Sequence, residues 1–166
     1  MTRCIVFDFG NVIALFYHMV ACRHLASLSR QPHDPADVYE RIFKTSLEED
    51  YDCGRVSTSA FIERLRQDLR LDASDDEIAR AWCDIFTPNP AIEELIVREK
   101  HRGTRLVLAS NTNELHYQWF SRVFERVLQL FDVSSRHAFA RQVARRSRSS
   151  TSVSYTHLTL PTILRV

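Results

Sequence analysis

No two cysteines of this chain stand in C-x-x-C spacing. Cys4, Cys22, Cys53 and Cys83 are scattered, which excludes a metal-finger framework and reads as reduced, mostly buried thiols of a cytosolic protein. No basic-then-apolar leader opens the sequence, and no apolar run nears the roughly 18 residues that crossing a bilayer requires, so the expected location is cytoplasmic. Net charge is only +1, so whole-chain charge points to neither a nucleic-acid nor a membrane partner. That balance is uneven. Residues 133–166 hold six arginines, no lysine and no acid, whereas residues 1–132 carry 16 basic and 21 acidic residues, a net of −5. Of the 166 residues 45% are apolar, enough for one ordinary core or a small core with a subdomain.

Two stretches carry the chemistry. The apolar run Cys4 to Phe7 reads as a buried strand, ending on Asp8, with Gly10 and Asn11 suited to a tight loop. An acid at the carboxyl end of a buried strand lies where open α/β sheets place their ligands. Arg105 to Ala109 is a second buried strand, running directly into the short polar residues Ser110, Asn111, Thr112 and Asn113. An amphipathic helix with Leu115, Trp119, Phe120, Val123, Phe124, Val127 and Leu128 on one face is predicted to follow. Strand, polar turn and helix start form an arrangement in which free backbone amides receive an anion.

The residues between read as helices. Apolar spacing predicts one from Ala14 to Arg30, Asp34-Pro35 opens another through about Phe43, and Ser57 caps a third. Ser74 with Glu77 spells a capping box. No strand is expected over residues 14–86. Glu48, Glu49, Asp50 and Asp52 lack calcium-loop spacing and read as a solvated helix face. Thr87-Pro88-Asn89-Pro90 is a boundary, with Asn89 the cap of a helix that Gly103 ends. Asp8-Phe9-Gly10 matches a kinase magnesium motif, but no nucleotide lobe precedes it. His18, His24 and His116 share no ligand spacing and read as surface or satisfied core residues. Asn113 and His116 stand close enough to the second stretch to approach a substrate. Trp82 and Trp119 read as packing.

Taken together, Val6 to Ile13, Leu106 to Asn113 and the helical insertion between them resemble the haloacid-dehalogenase-like (HAD) phosphohydrolase superfamily over residues 3–132. Tyr51-Asp52-Cys53-Gly54, with Ser57 and Phe61, and Trp82 to Pro90 are similar to its helical cap. The resemblance implies an α/β fold: a Rossmann-like parallel sheet core, incomplete here, over residues 1–13 and 88–132, with an inserted α-helical cap over 14–87. It implies a Mg²⁺-dependent phosphatase of a small phosphorylated metabolite. Asp8 would be the catalytic nucleophile forming an aspartyl phosphate. Asp8 and the Gly10 carbonyl would ligate Mg²⁺, and Ser110 and Asn111 would bind phosphate.

The sequence departs from the family at several points. A second aspartate, the general acid and base, is expected where Gly10 stands. A lysine beyond the second motif and a later acidic pair have no counterpart, since no lysine follows Lys100 and no acid follows Asp132. Residues 153–166 resemble a translated sequencing adapter and are set aside as library read-through. Residues 133–152 are expected to be frame-shifted or disordered, and have no aromatic beyond Phe139 for stacking on nucleic acid. The 166-residue chain is therefore expected to be an inactive, truncated form. A non-catalytic member of the same fold, binding a phosphorylated ligand or a protein, is the alternative.

Overall fold

The structure, a computed structural model, describes residues 3–31, 33–134 and 164–165. It is α/β and divides into two compact units. One comprises the residues up to Leu15, Thr87–Asn111 and the residues from Phe124 onward; the other comprises Phe16–Phe86 and Thr112–Val123.

The first unit is built on a sheet of β1 (Cys4–Asp8), β4 (Arg105–Ala109), β5 (Val133–Ser134) and β6 (Leu164–Arg165), in the order β5-β4-β1-β6. β1 and β4 run parallel with Cys4 opposite Arg105 and Asp8 opposite Ala109. β5 is parallel to β4, and β6 is antiparallel to β1. Ile5, Phe7, Leu106 and Leu108 are buried at alternate positions, the period-two pattern of a strand. The Phe7 ring meets Phe131 edge-on at 5.7 Å, and Phe9 meets Phe124 at 5.3 Å. Asp132 ties the unit together: its carboxylate accepts from the Leu106 amide at 2.8 Å and from Lys100 Nζ at 2.6 Å. Lys100 lies on α6 (Pro90–His101), which ends at Gly103, where φ is 72°.

The second unit is helical: α1 (His18–Ser27), α2 (Pro35–Phe43), α3 (Leu47–Asp52), α4 (Thr58–Leu69), α5 (Asp75–Cys83) and α7 (Glu114–Val123). Its core contains Leu25, Ile42, Phe61, Leu65, Leu69, Ile78 and Trp82, each burial contributing roughly 1.5–3 kcal/mol for an aliphatic or phenyl side chain. Trp82 is the largest of these, stacked on Phe43 and crossed edge-on by Phe61. Three caps form as their residues predict. Asp34 accepts from the Ala36 amide, Ser57 from Ala60, and Ser74 and Glu77 close a reciprocal box.

Several expectations change. Ala14 to Arg30 is not one helix, and residues 14–86 are not free of strand. β2 (Ala14–Phe16) pairs with β3 (Phe86–Pro88), and α1 starts only at His18. The Phe9 carbonyl accepts from the amides of Val12, Ile13 and Ala14 while Asn11 sits at φ 56°, so the chain turns tightly and leaves extended. Ala14 is then buried and Leu15 exposed, an alternation that a helical stripe imitates over three residues. Asn89 occupies the start of α6 without capping it: its side chain donates to the Val12 carbonyl at 2.9 Å. The helix after the second stretch breaks at Phe124, beyond which α8 (Glu125–Leu128) is a single turn, and Val123 is exposed. The readings for residues 133–152 and 153–166 lie outside the described residues, except for Val133–Ser134 and Leu164–Arg165. No helix among the described residues is long and apolar enough to cross a membrane.

Candidate functional site

Asp8 is the last residue of β1 and Ser110 the first after β4. Since the strands are parallel and Asp8 faces Ala109 in register, the two residues stand at carboxyl ends of neighbouring strands, whose axes are about 4.8 Å apart. Asp8 is exposed, Ser110 half-buried and Asn111 exposed. The structure therefore brings Asp8, Gly10, Ser110 and Asn111 to one end of one sheet, all within the α/β unit.

The local chain orients the carboxylate. The Phe9 amide donates to Asp8 Oδ1 at 2.7 Å. Packed chain around Asp8 strips part of its hydration and pushes the carboxyl above its ordinary value, while the amides of Phe9 and Gly10 act in the opposite direction. Among the described residues no hydrogen bond ends on the Gly10 carbonyl, and no cluster of three or more His, Cys, Asp or Glu side chains could hold a metal. Among the described residues at this strand end, the Asp8 carboxylate and the Gly10 carbonyl are oxygen donors that Mg²⁺ could share. Both are hard ligands, the sparse kind with which Mg²⁺ keeps most of its water.

Asn113 and His116 have other partners. Both are buried in the helical unit. Asn113 Nδ2 donates to Asp52 Oδ1 at 2.8 Å, and its Oδ1 accepts from the His116 amide at 2.9 Å, capping α7. With Asn113 Nδ2 also 3.2 Å from His116 Nδ1, that ring nitrogen is the acceptor, and Nε2–H donates to the Trp82 carbonyl at 3.3 Å. Burial drives the His116 pKa down to about 4, so the ring is neutral near pH 7. His116 is a satisfied core histidine, stacked on Trp82.

The acidic helix face is not simply solvated. Glu48 and Asp52, one turn apart on α3, are half-buried. Burial first, then the charges of Asp52 and Glu49, push the Glu48 carboxyl up to about 7. Asp52 is likewise raised by burial, against the hydrogen bond from Asn113. Sequence spacing did not reveal the pairing of Asp52 with Asn113 across 61 positions.

No protein-family model matches the sequence. Among solved structures, the chain is similar to a HAD family enzyme from Bacteroides thetaiotaomicron in its magnesium complex. There the TM-score is 0.67 at 16% identity, covering 86% of this chain and 69% of that one. The same enzyme with magnesium and inorganic phosphate matches at TM-score 0.64 and 15% identity, covering 83% and 68%. A structure described as a predicted HAD-like family hydrolase from Porphyromonas gingivalis matches at 0.62 and 20%, covering 90% and 78%. The chain has the fold of the HAD family enzymes.

Proposed function

We propose that the chain is a HAD-like phosphohydrolase acting on a small phosphorylated metabolite. The observation that carries this reading is the parallel register of β1 and β4, with Asp8 ending one strand and Ser110 following the other. Asp8 attacks phosphorus and the bond to the leaving oxygen breaks, giving an aspartyl phosphate that water then hydrolyses. The Ser110 hydroxyl and the Asn111 amide hold the phosphoryl oxygens as charge develops. Bound Mg²⁺ supplies positive charge that offsets the repulsion between carboxylate and phosphate. The Asp8 carboxylate and the Gly10 carbonyl are the groups that would hold it, and the similar Bacteroides enzyme was crystallised with magnesium and phosphate.

Gly10 supplies no side chain to protonate the leaving group, a loss of about 10²–10⁴-fold in rate where an acid normally acts. The same glycine supports a second reading, a non-catalytic binder of a phosphorylated ligand.

Phosphate release from a panel of sugar phosphates, with and without magnesium, tests the first reading. Release should require magnesium and vanish in Asp8→Asn. Turnover that needs no magnesium and survives Asp8→Asn would overturn it. Calorimetric binding of inorganic phosphate with magnesium, without turnover of any ester, would favour the binder.

A further inference from the structure

We infer that Asn89 is a positioning residue for the loop that follows Asp8, an inference that rests on the metal-holding role proposed for Gly10. The loop and Asn89 belong to the same compact unit. The neighbouring sequence sets the residue up. Pro90 steers the residue before it to extended backbone, and Asn89 has φ −107° and ψ 94°. α6 starts on it, the amides of Ile92 and Glu93 donating to the Asn89 carbonyl at 3.1 and 3.0 Å. Asn89 is thereby fixed to a helix whose Ile96 is buried and whose Lys100 is paired with Asp132.

From that anchor Asn89 reaches the loop twice. Its Nδ2 donates to the Val12 carbonyl at 2.9 Å, and its backbone amide to the Ile13 carbonyl at 3.1 Å. The next residue, Ala14, bridges to Gly10. The Ala14 amide donates to the Phe9 carbonyl at 3.1 Å, and the Asn11 amide to the Ala14 carbonyl at 2.8 Å. The constraint therefore passes from α6 through Asn89 to Val12 and Ile13, and from Ala14 to both neighbours of Gly10. Val12, Ile13 and Ala14 are buried, so a carbonyl released there has little water to turn to. The Asn89 side chain makes no cap bond to α6. Capping would be served equally well by aspartate, but a carboxylate has no hydrogen to give Val12. The loop needs a donor at this point, and an amide supplies it.

The test compares Asn89→Asp and Asn89→Ala with Glu77→Ala, a stability control that breaks the α5 capping box in the other unit. Two quantities are read in the full chain by NMR: ¹⁵N order parameters of the Gly10 and Asn11 amides without metal, and magnesium affinity from the shifts of the same amides. Both Asn89 variants should lower the order parameters from about 0.85 toward about 0.6 and weaken magnesium binding about 10-fold. Glu77→Ala should lower the melting temperature while moving neither. A folded Asn89→Asp with wild-type amides and magnesium affinity overturns the inference. Loosened amides with unchanged magnesium affinity overturn it too, as does loss of folding in both Asn89 variants, which would make the bond a support of the whole unit. If the wild-type Gly10 and Asn11 amides do not respond to magnesium, the metal role proposed for this loop is overturned and the positioning role with it, a result read before any variant is made.

Discussion

At the scale of single residues, Gly10 decides most. Its φ is not in the left-handed region, where among the described glycines only Gly54 and Gly103 sit, so an L side chain is compatible with its backbone. If the proposed chemistry is right, esters whose leaving group needs no proton should escape the missing acid. Aryl phosphates should therefore be turned over faster than alkyl phosphates by the wild-type chain. Gly10→Asp should narrow that gap, raising alkyl ester turnover by about 10-fold or more, measured as initial rates with p-nitrophenyl phosphate and a sugar phosphate side by side. An unchanged ratio would show that leaving-group protonation does not limit the reaction. The positions of Asp8 and Ser110 were readable from sequence because each apolar run stops where its strand does. His116, which in sequence reads as a surface or satisfied core residue, is a core one, but the partners of Asn113 and His116 were not legible. Those partners, Asp52 and the Trp82 carbonyl, come from elsewhere in the chain and depend on how α3, α5 and α7 pack.

At the scale of elements, helix ends account for what was legible. Asp34, Ser57 and Ser74 satisfy amides two or three residues away, a local chemistry that short sequence windows contain. β2 and β3 were illegible for the opposite reason: three-residue strands have no period of their own and exist because they pair. One helix end conflicts with its residue. α4 closes on Arg70 in the left-handed conformation, φ 51° and ψ 47°, where a side chain costs about 1–2 kcal/mol. The turn's other bonds are backbone ones, among them the Arg30 amide donating to the Arg70 carbonyl at 3.2 Å, and glycine would keep them. Arg70→Gly should therefore stabilise the protein by up to about 1 kcal/mol despite losing the exposed contact to Gln31. Ser74→Ala should cost about 1 kcal/mol. Urea denaturation of the two variants checks both signs, and a destabilised Arg70→Gly would mean that the arginine side chain outweighs the backbone strain.

At the scale of the whole molecule, two buried groups set opposite pH slopes. His116 falls from 6.5 to about 4 on folding, so between those values the unfolded chain binds a proton that the folded chain refuses, and stability rises with pH. Glu48 rises from 4.5 to about 7, so over that interval the folded chain holds the extra proton and stability falls as pH rises. Each amounts to about 3.5 kcal/mol at most, taking roughly 1.4 kcal/mol per pH unit. Asp8 and Asp52, both raised by burial, add to the side of Glu48. From pH 4.5 to 6.5 the contributions of His116 and Glu48 oppose each other, and the wild-type chain should lose stability with rising pH less steeply than a chain lacking His116. Removing either group exposes the other. His116→Gln should become steadily less stable from pH 4.5 to 7, and Glu48→Gln should become more stable over most of the interval from pH 4 to 6.5. Chemical denaturation at half-unit pH steps reads both slopes directly, and parallel slopes in the two variants would mean that these groups do not govern the acid response. The opposition has a structural cause: the helical unit buries a base that must stay neutral and an acid that resists ionising, and neither can be relieved without repacking the helices that hold them.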